Sequence, residues 1–169
     1  VSRSTCIDLR SQRQNISVFE TKIVATYDDH RTRRAGYAHA ISYAIVDPAS
    51  LPWITRPHQP GEPARHVAEL SAAAGFAEVR ANLWRYEPEA RGRRHRHPTQ
   101  EETFLVVAGT LSMYVGEPPT RHDVATGSLI RVSPGTPVQA ANHGEAELVL
   151  YVHGFPPEDE SAEILDDAV

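Results

Sequence analysis

The chain has 169 residues, 40% of them hydrophobic, and a formal net charge of −5 at pH 7, enough for one ordinary domain with a real core. Its one cysteine, Cys6, excludes an intrachain disulfide framework or a cysteine metal cluster and points to a reducing, cytoplasmic setting. No stretch is apolar for long enough to cross a bilayer, and no signal-peptide core stands near the start, so a soluble, unexported protein is expected.

Residues 1–41 differ from the rest. They hold seven Lys/Arg against four Asp/Glu, a balance of +3, which leaves −8 on the remainder. An acidic main body argues against nucleic acid as a partner. The run Asp28-Asp29-His30-Arg31-Thr32-Arg33-Arg34 is wholly polar, and only Ile16 to Tyr27 alternates in part. The composition predicts a poorly ordered N-terminal extension. A start-site extension ahead of a protein beginning near Ile41-Ser42-Tyr43 is the other reading.

Residues 42–78 read as an edge strand, a Pro-rich wrap and a short helix. Tyr43-Ala44-Ile45-Val46 is the strand, the wrap runs to Pro63, and Trp53-Ile54 is expected to pin it to the core. From Ala64 to Ala74 the apolar residues Val67, Leu70 and Ala74 recur at helical spacing, and Gly75 supplies a stop.

Residues 79–155 change to a β pattern. The predicted strands are Val79–Tyr86, His95–His97, Thr103–Val107, Leu111–Val115, Ser128–Val132, Val138–Ala141 and Leu148–His153. Glycine or proline marks most gaps, and Ala108-Gly109-Thr110 reads as a tight hairpin turn. Short strands at this spacing indicate an all-β sandwich or barrel. Residues 156–169 form an acidic tail with six acidic and no basic residues, expected on the surface, with Ile164-Leu165 able to dock.

The chemistry concentrates in His95-Arg96-His97 and Glu102. Residues two apart on a strand share a face, so both imidazoles can aim at one point. Glu102 can return a carboxylate there after the Pro98–Glu101 connection. Two imidazoles and a carboxylate suit a first-row divalent metal and leave coordination positions open. The plainer reading is a polar loop in which Arg85, Arg91, Arg93, Arg94 and Arg96 pair with Glu101 and Glu102. Arg93, Arg94 and Arg96 also have the charge to draw an anion to a barrel mouth. By parity Phe104 and Val106 face inward, while Leu105 and Val107 face outward and need cover. Trp84, Tyr86, Tyr114 and Tyr151 are candidates for core or pocket lining. No catalytic group is named by the sequence.

His95, His97, Glu102 and Gly109 fall in register with the first motif of the cupin superfamily, G-x5-H-x-H-x3,4-E-x6-G. Glu89 takes the place of its opening glycine, with Gly92 nearby. Gly127, Gly135 and Asn142 fit the second motif, G-x5-P-x-G-x2-H-x3-N, with Ser133 at its first proline. The stretch from 79 to 153 thus resembles a small single-domain cupin. The resemblance implies a jelly-roll β-barrel with one short helix before it, and a likeness to proteins that often form homodimers. It implies a divalent metal (iron, manganese, zinc or nickel) on His95, His97 and Glu102, and a small polar or anionic molecule in the barrel. Metal-dependent dioxygenase and isomerase chemistry both belong to such a family. Val138 stands where the family's third histidine falls and cannot bind a metal. It either fills space in a pocket that has shed its metal, or leaves a coordination position open. Gln139 and His143 are the neighbouring polar groups able to stand in only if the strand bulges or the loop folds inward. A metal-free sensor or carrier is the alternative function.

Overall fold

The structure is a computed structural model that describes residues 43–157 and 162–169. The expectation for residues 1–41 therefore lies outside the described residues. All elements below belong to the unit Ala44–Val169.

A 3-10 turn at Pro48–Ser50 opens it, capped by the Asp47 carboxylate, which accepts from the Ala49 N–H at 2.9 Å. Strands follow at Ile54–Pro57 (β1) and Ala64–Glu69 (β2), then the helix Ser71–Ala74 (α1) and the strand Arg80–Tyr86 (β3). His95–Arg96 is β4, Glu101–Ala108 β5, Thr110–Val115 β6 and Thr120–Ala125 β7. Leu129–Val132 is β8, Val138–Ala141 β9, Leu148–Phe155 β10 and Glu163–Ile164 β11. The strands form two antiparallel sheets, ordered β1-β2-β3-β10-β5-β8 and β11-β4-β9-β6-β7. The fold is thus the expected all-β jelly roll with one short helix.

Alternation decides which side chains meet between the sheets. Phe104 and Val106 of β5 and Leu148, Leu150 and Val152 of β10 bury against Leu111 and Met113 of β6 and Val138 and Ala140 of β9. Phe104 and Val106 point inward as parity requires, while Val107 lies half in solvent at 47% exposure. The hairpin between β5 and β6 turns at Gly109, whose φ is +81°. A Cβ there would also stand 2.8 Å from the Glu147 carbonyl, so only glycine fits both demands.

Three expectations are corrected before β3. Tyr43–Val46 is not a strand; the edge strand is β1, further along. The helix expected from Ala64 is only α1, ended by Gly75 at φ +71°. Its first half is β2, paired on both sides with β1 and β3. The open edge of β3 offers a full ladder of backbone hydrogen bonds, which outweighs weak helical spacing. Trp53 does not enter the core. It is half-buried under the Arg85 guanidinium, 4.4 Å from its ring centre, and Ile54 is exposed.

Strand β7 escaped the pattern reading because Thr120-Arg121-His122-Asp123 is exposed and polar, with no inward alternation. It is held by full pairing to β6. The acidic tail contributes β11, which pairs with β4, and the Leu165 N–H donates to the Arg94 carbonyl at 2.9 Å. Among the described residues no helix is long and apolar enough to cross a membrane.

Candidate metal and ligand site

Strand β4, the residue that follows it and the start of β5 bring His95, His97 and Glu102 into the lining of a cavity of about 550 Å³. One ligand atom from each of the three lies within 4.8 Å of the others. His95 Nε2 is 3.4 Å from one carboxylate oxygen of Glu102, and His97 Nε2 is 3.4 Å from the other. The side chains are 24%, 10% and 12% exposed in sequence order. The Nδ1 of His95 is 3.0 Å from the Arg93 carbonyl, where it can only donate. That contact takes up Nδ1 and leaves Nε2 as the nitrogen that faces Glu102.

Electrostatics keep Glu102 ionised. Burial is the largest single influence and would push its carboxyl up. The hydrogen bonds and charges of His95 and His97 together outweigh burial and hold it down at about 2. A buried, ionised carboxylate between two imidazoles is the donor set a divalent cation requires.

The arginines near this segment do not neutralise it. Arg94 is buried and bonds Glu117 at 2.5 Å and the Gly116 carbonyl at 2.9 Å. Arg96 forks onto Glu163 at 2.7 and 2.9 Å. Arg91 bonds Glu62 at 3.1 Å, and Arg85 lies over Trp53. Glu101 pairs with Arg131 instead. The polar-loop reading, with these arginines on Glu101 and Glu102, is therefore corrected. Of Arg93, Arg94 and Arg96, only Arg93 lines the cavity.

Val138 lines the cavity beside the triad, in direct register with His95, and is 1% exposed. Gln139 points away: its amide donates to the Gly92 carbonyl at 2.9 Å, and its carbonyl oxygen accepts from the Ala168 N–H at 2.6 Å. His143 bonds the Tyr114 hydroxyl at 3.1 Å and lies 3.5 Å from Glu89. Neither replaces the ligand that Val138 lacks. Glu89 occupies the motif's glycine position with φ +61°, a left-handed backbone that glycine adopts more readily.

Of the cavity-lining residues on β1 to β3, only Trp84 and Tyr86 were named from the sequence, as candidates for core or pocket lining. Arg80, Asn82, Trp84 and Tyr86 alternate along β3, and all four line the cavity with Arg56 of β1 and Arg65 of β2. Parity along β3 would have found the first four. Arg65 was hidden because its segment reads as helical. Tyr86 is buried, which pushes its hydroxyl up, while the adjacent Arg65 pulls it down. Tyr114 and Tyr151 are absent from this lining and contact His143 and His153.

Residues 82–154 match a family model described as "Cupin domain". A structure described as a sugar phosphate isomerase from a cupin superfamily, from Silicibacter pomeroyi DSS-3, is similar with a TM-score of 0.58 and 24% identity, over 66% of this chain and 75% of that one. A predicted oxalate decarboxylase from Thermotoga maritima is similar with a TM-score of 0.59 and 15% identity, over 67% of this chain and 99% of that one. An uncharacterised double-stranded β-helix protein from Klebsiella pneumoniae has a TM-score of 0.53 and 21% identity, over 66% and 90% of the two chains. At these identities the likeness speaks for the fold. No curated protein matches significantly.

Proposed function

We propose that the protein, whose residues 82–154 match a cupin-domain family model, holds a divalent metal on His95, His97 and Glu102 and binds a small polar or anionic molecule beside it. The observation that carries this reading is the convergence of three ligand atoms within 4.8 Å at the wall of a cavity. The donor set fits iron, manganese, zinc or nickel. When bound, such an ion would supply Lewis-acid or redox chemistry suited to an isomerase or a dioxygenase. The chain's own residues do the rest. The Arg93 carbonyl orients His95. Burial of Phe104, Val138 and Val152 in the lining restricts water around the site. Tyr86 stays protonated near neutral pH, so its hydroxyl is a hydrogen-bond donor.

A second reading is favoured by two observations. Val138 removes a ligand, and Glu102 is already matched by two histidines without an ion. On that reading the protein is a metal-free small-molecule carrier or sensor, and the triad only orients the ligand. Elemental analysis of tag-free protein grown in metal-supplemented medium separates the two. Near-stoichiometric metal in the parent, lost in a folded His97→Ala variant, is the expected result. A parent that stays empty after reconstitution leaves the metal-free reading.

A further inference from the structure

The cavity that holds the proposed metal ligands also carries an arrangement of arginines that stability alone does not explain. Arg56 and Arg65 stand directly opposite each other in the β1–β2 ladder. Both line the cavity, as do Arg80 and Arg93. Like charges directly opposed on neighbouring strands destabilise a sheet. None of the four guanidiniums forms an ion pair with a carboxylate among the described residues, although Arg91, Arg94 and Arg96 nearby all do. Glu102 is the one carboxylate among the described lining residues, and its two oxygens are taken up by His95 and His97.

The excess is local, because the whole chain is acidic at −5. Four arginines with no ion-pair partner among the described residues line one concavity and make it locally positive. Arg65 is also held in position. Its guanidinium lies 5.2 Å from the Trp84 ring centre, and the Tyr86 hydroxyl stands near it beside Gly92. Gly92 makes room for it: a Cβ there would sit 3.0 Å from Arg65 Nη1 and 3.2 Å from the Tyr86 hydroxyl. Its Nε–H is buried with no acceptor. A planar cation braced by an aromatic face and left short of acceptors is a preorganised partner for an oxyanion.

We propose that this arrangement is an anion subsite, in which Arg56 and Arg65 grip the doubly charged oxyanionic group of a small metabolite while Arg80 and Arg93 complete the positive surround. The inference deepens the reading of a metal- and ligand-binding barrel and rests on it for the ligand's position beside the triad. The shared chemistry is a phosphate monoester or a dicarboxylate.

The test uses full-length protein stripped of metal by chelation, so it does not depend on the metal reading. Inorganic phosphate and malonate are titrated separately by calorimetry at low ionic strength. The expected result is saturable one-site binding of at least one of them. Affinity should fall about tenfold or more in Arg65→Gln and in Arg56→Gln, as loss of a charge-assisted hydrogen bond predicts. An Arg121→Gln control, altered at a guanidinium paired with Asp123 on β7, should bind like the parent. Preference for phosphate identifies a phosphate monoester, and preference for malonate a dicarboxylate. Arg56 is exposed, so its variant carries the test if Arg65→Gln fails to fold. Absence of saturable binding for both anions, or parental affinity in the folded variants, overturns the proposal. Metal content measured on the same variants before stripping reports separately on His95, His97 and Glu102.

Discussion

Replacing Glu102 by glutamine removes the charge on which the triad is organised, and the structure sets the size and pH window of the effect. In the folded protein the carboxyl is held at about 2, against an ordinary value of 4.5. Burial works against the ionised form, and the two histidines more than reverse it. A carboxyl depressed by this amount contributes about 3 kcal/mol to the metal-free native state, a figure that needs little discount because the side chain is 12% exposed. The sign follows from linkage. Between 4.5 and about 2 the unfolded chain binds the proton and the folded chain does not, so stability falls as pH falls through that window. Above 4.5 the contribution is complete. Urea unfolding of stripped parent and Glu102→Gln protein, from about pH 6 down to about pH 2.5, measures it directly. The parent should exceed the variant by about 3 kcal/mol at the upper end, with the gap closing as the acid limit is approached. A gap that stays constant over this range would refute the argument that His95 and His97 stabilise an ionised Glu102.

Two further outcomes follow from the same geometry. Val138→His places an imidazole beside His95 in the β4–β9 register. It should retain metal at a chelator concentration that strips the parent, while the metal-free variant loses about 1–3 kcal/mol from burying an unpartnered imidazole. Loss of stability without improved retention would place Val138 away from the proposed ion. Asn142→Ala removes a buried amide that donates to the carbonyls of Tyr86 and Glu87 at 3.0 and 3.1 Å and of Ala146 at 2.8 Å. Its oxygen also accepts from the Gly144 N–H at 3.0 Å. Thermal or urea unfolding should show a cost of about 3 kcal/mol with cavity binding reduced, since the same bonds hold the end of β3 where Tyr86 lies. A change under 1 kcal/mol would mean the loop closes without it.

Much of this protein was legible along the chain, and for local reasons. Strand periodicity placed both histidines on one face, and the short span to Glu102 returned a carboxylate to the same end of the barrel. Phe104 and Val106 could be assigned inward, and Gly109 to a turn, because parity and positive φ are properties of a few consecutive residues. The displacement of the third histidine by Val138 was equally readable, since it is a matter of residue type at a counted position.

What the chain could not disclose is long-range pairing. The segment Ala64–Glu69 became β2 because the edge of β3 offered it partners, although its apolar spacing suits a helix. Strand β7 has no apolar face to announce it and exists through its ladder to β6. The fate of each arginine was decided the same way. Arg94 and Arg96 found Glu117 and Glu163, residues distant in sequence, whereas Arg56 and Arg65 were set opposite one another by the β1–β2 register. Side-chain type and periodicity are local and survive in a string of letters. Whether a charge is paired or left facing a cavity depends on which strands share hydrogen bonds, and that is settled only when the sheets close.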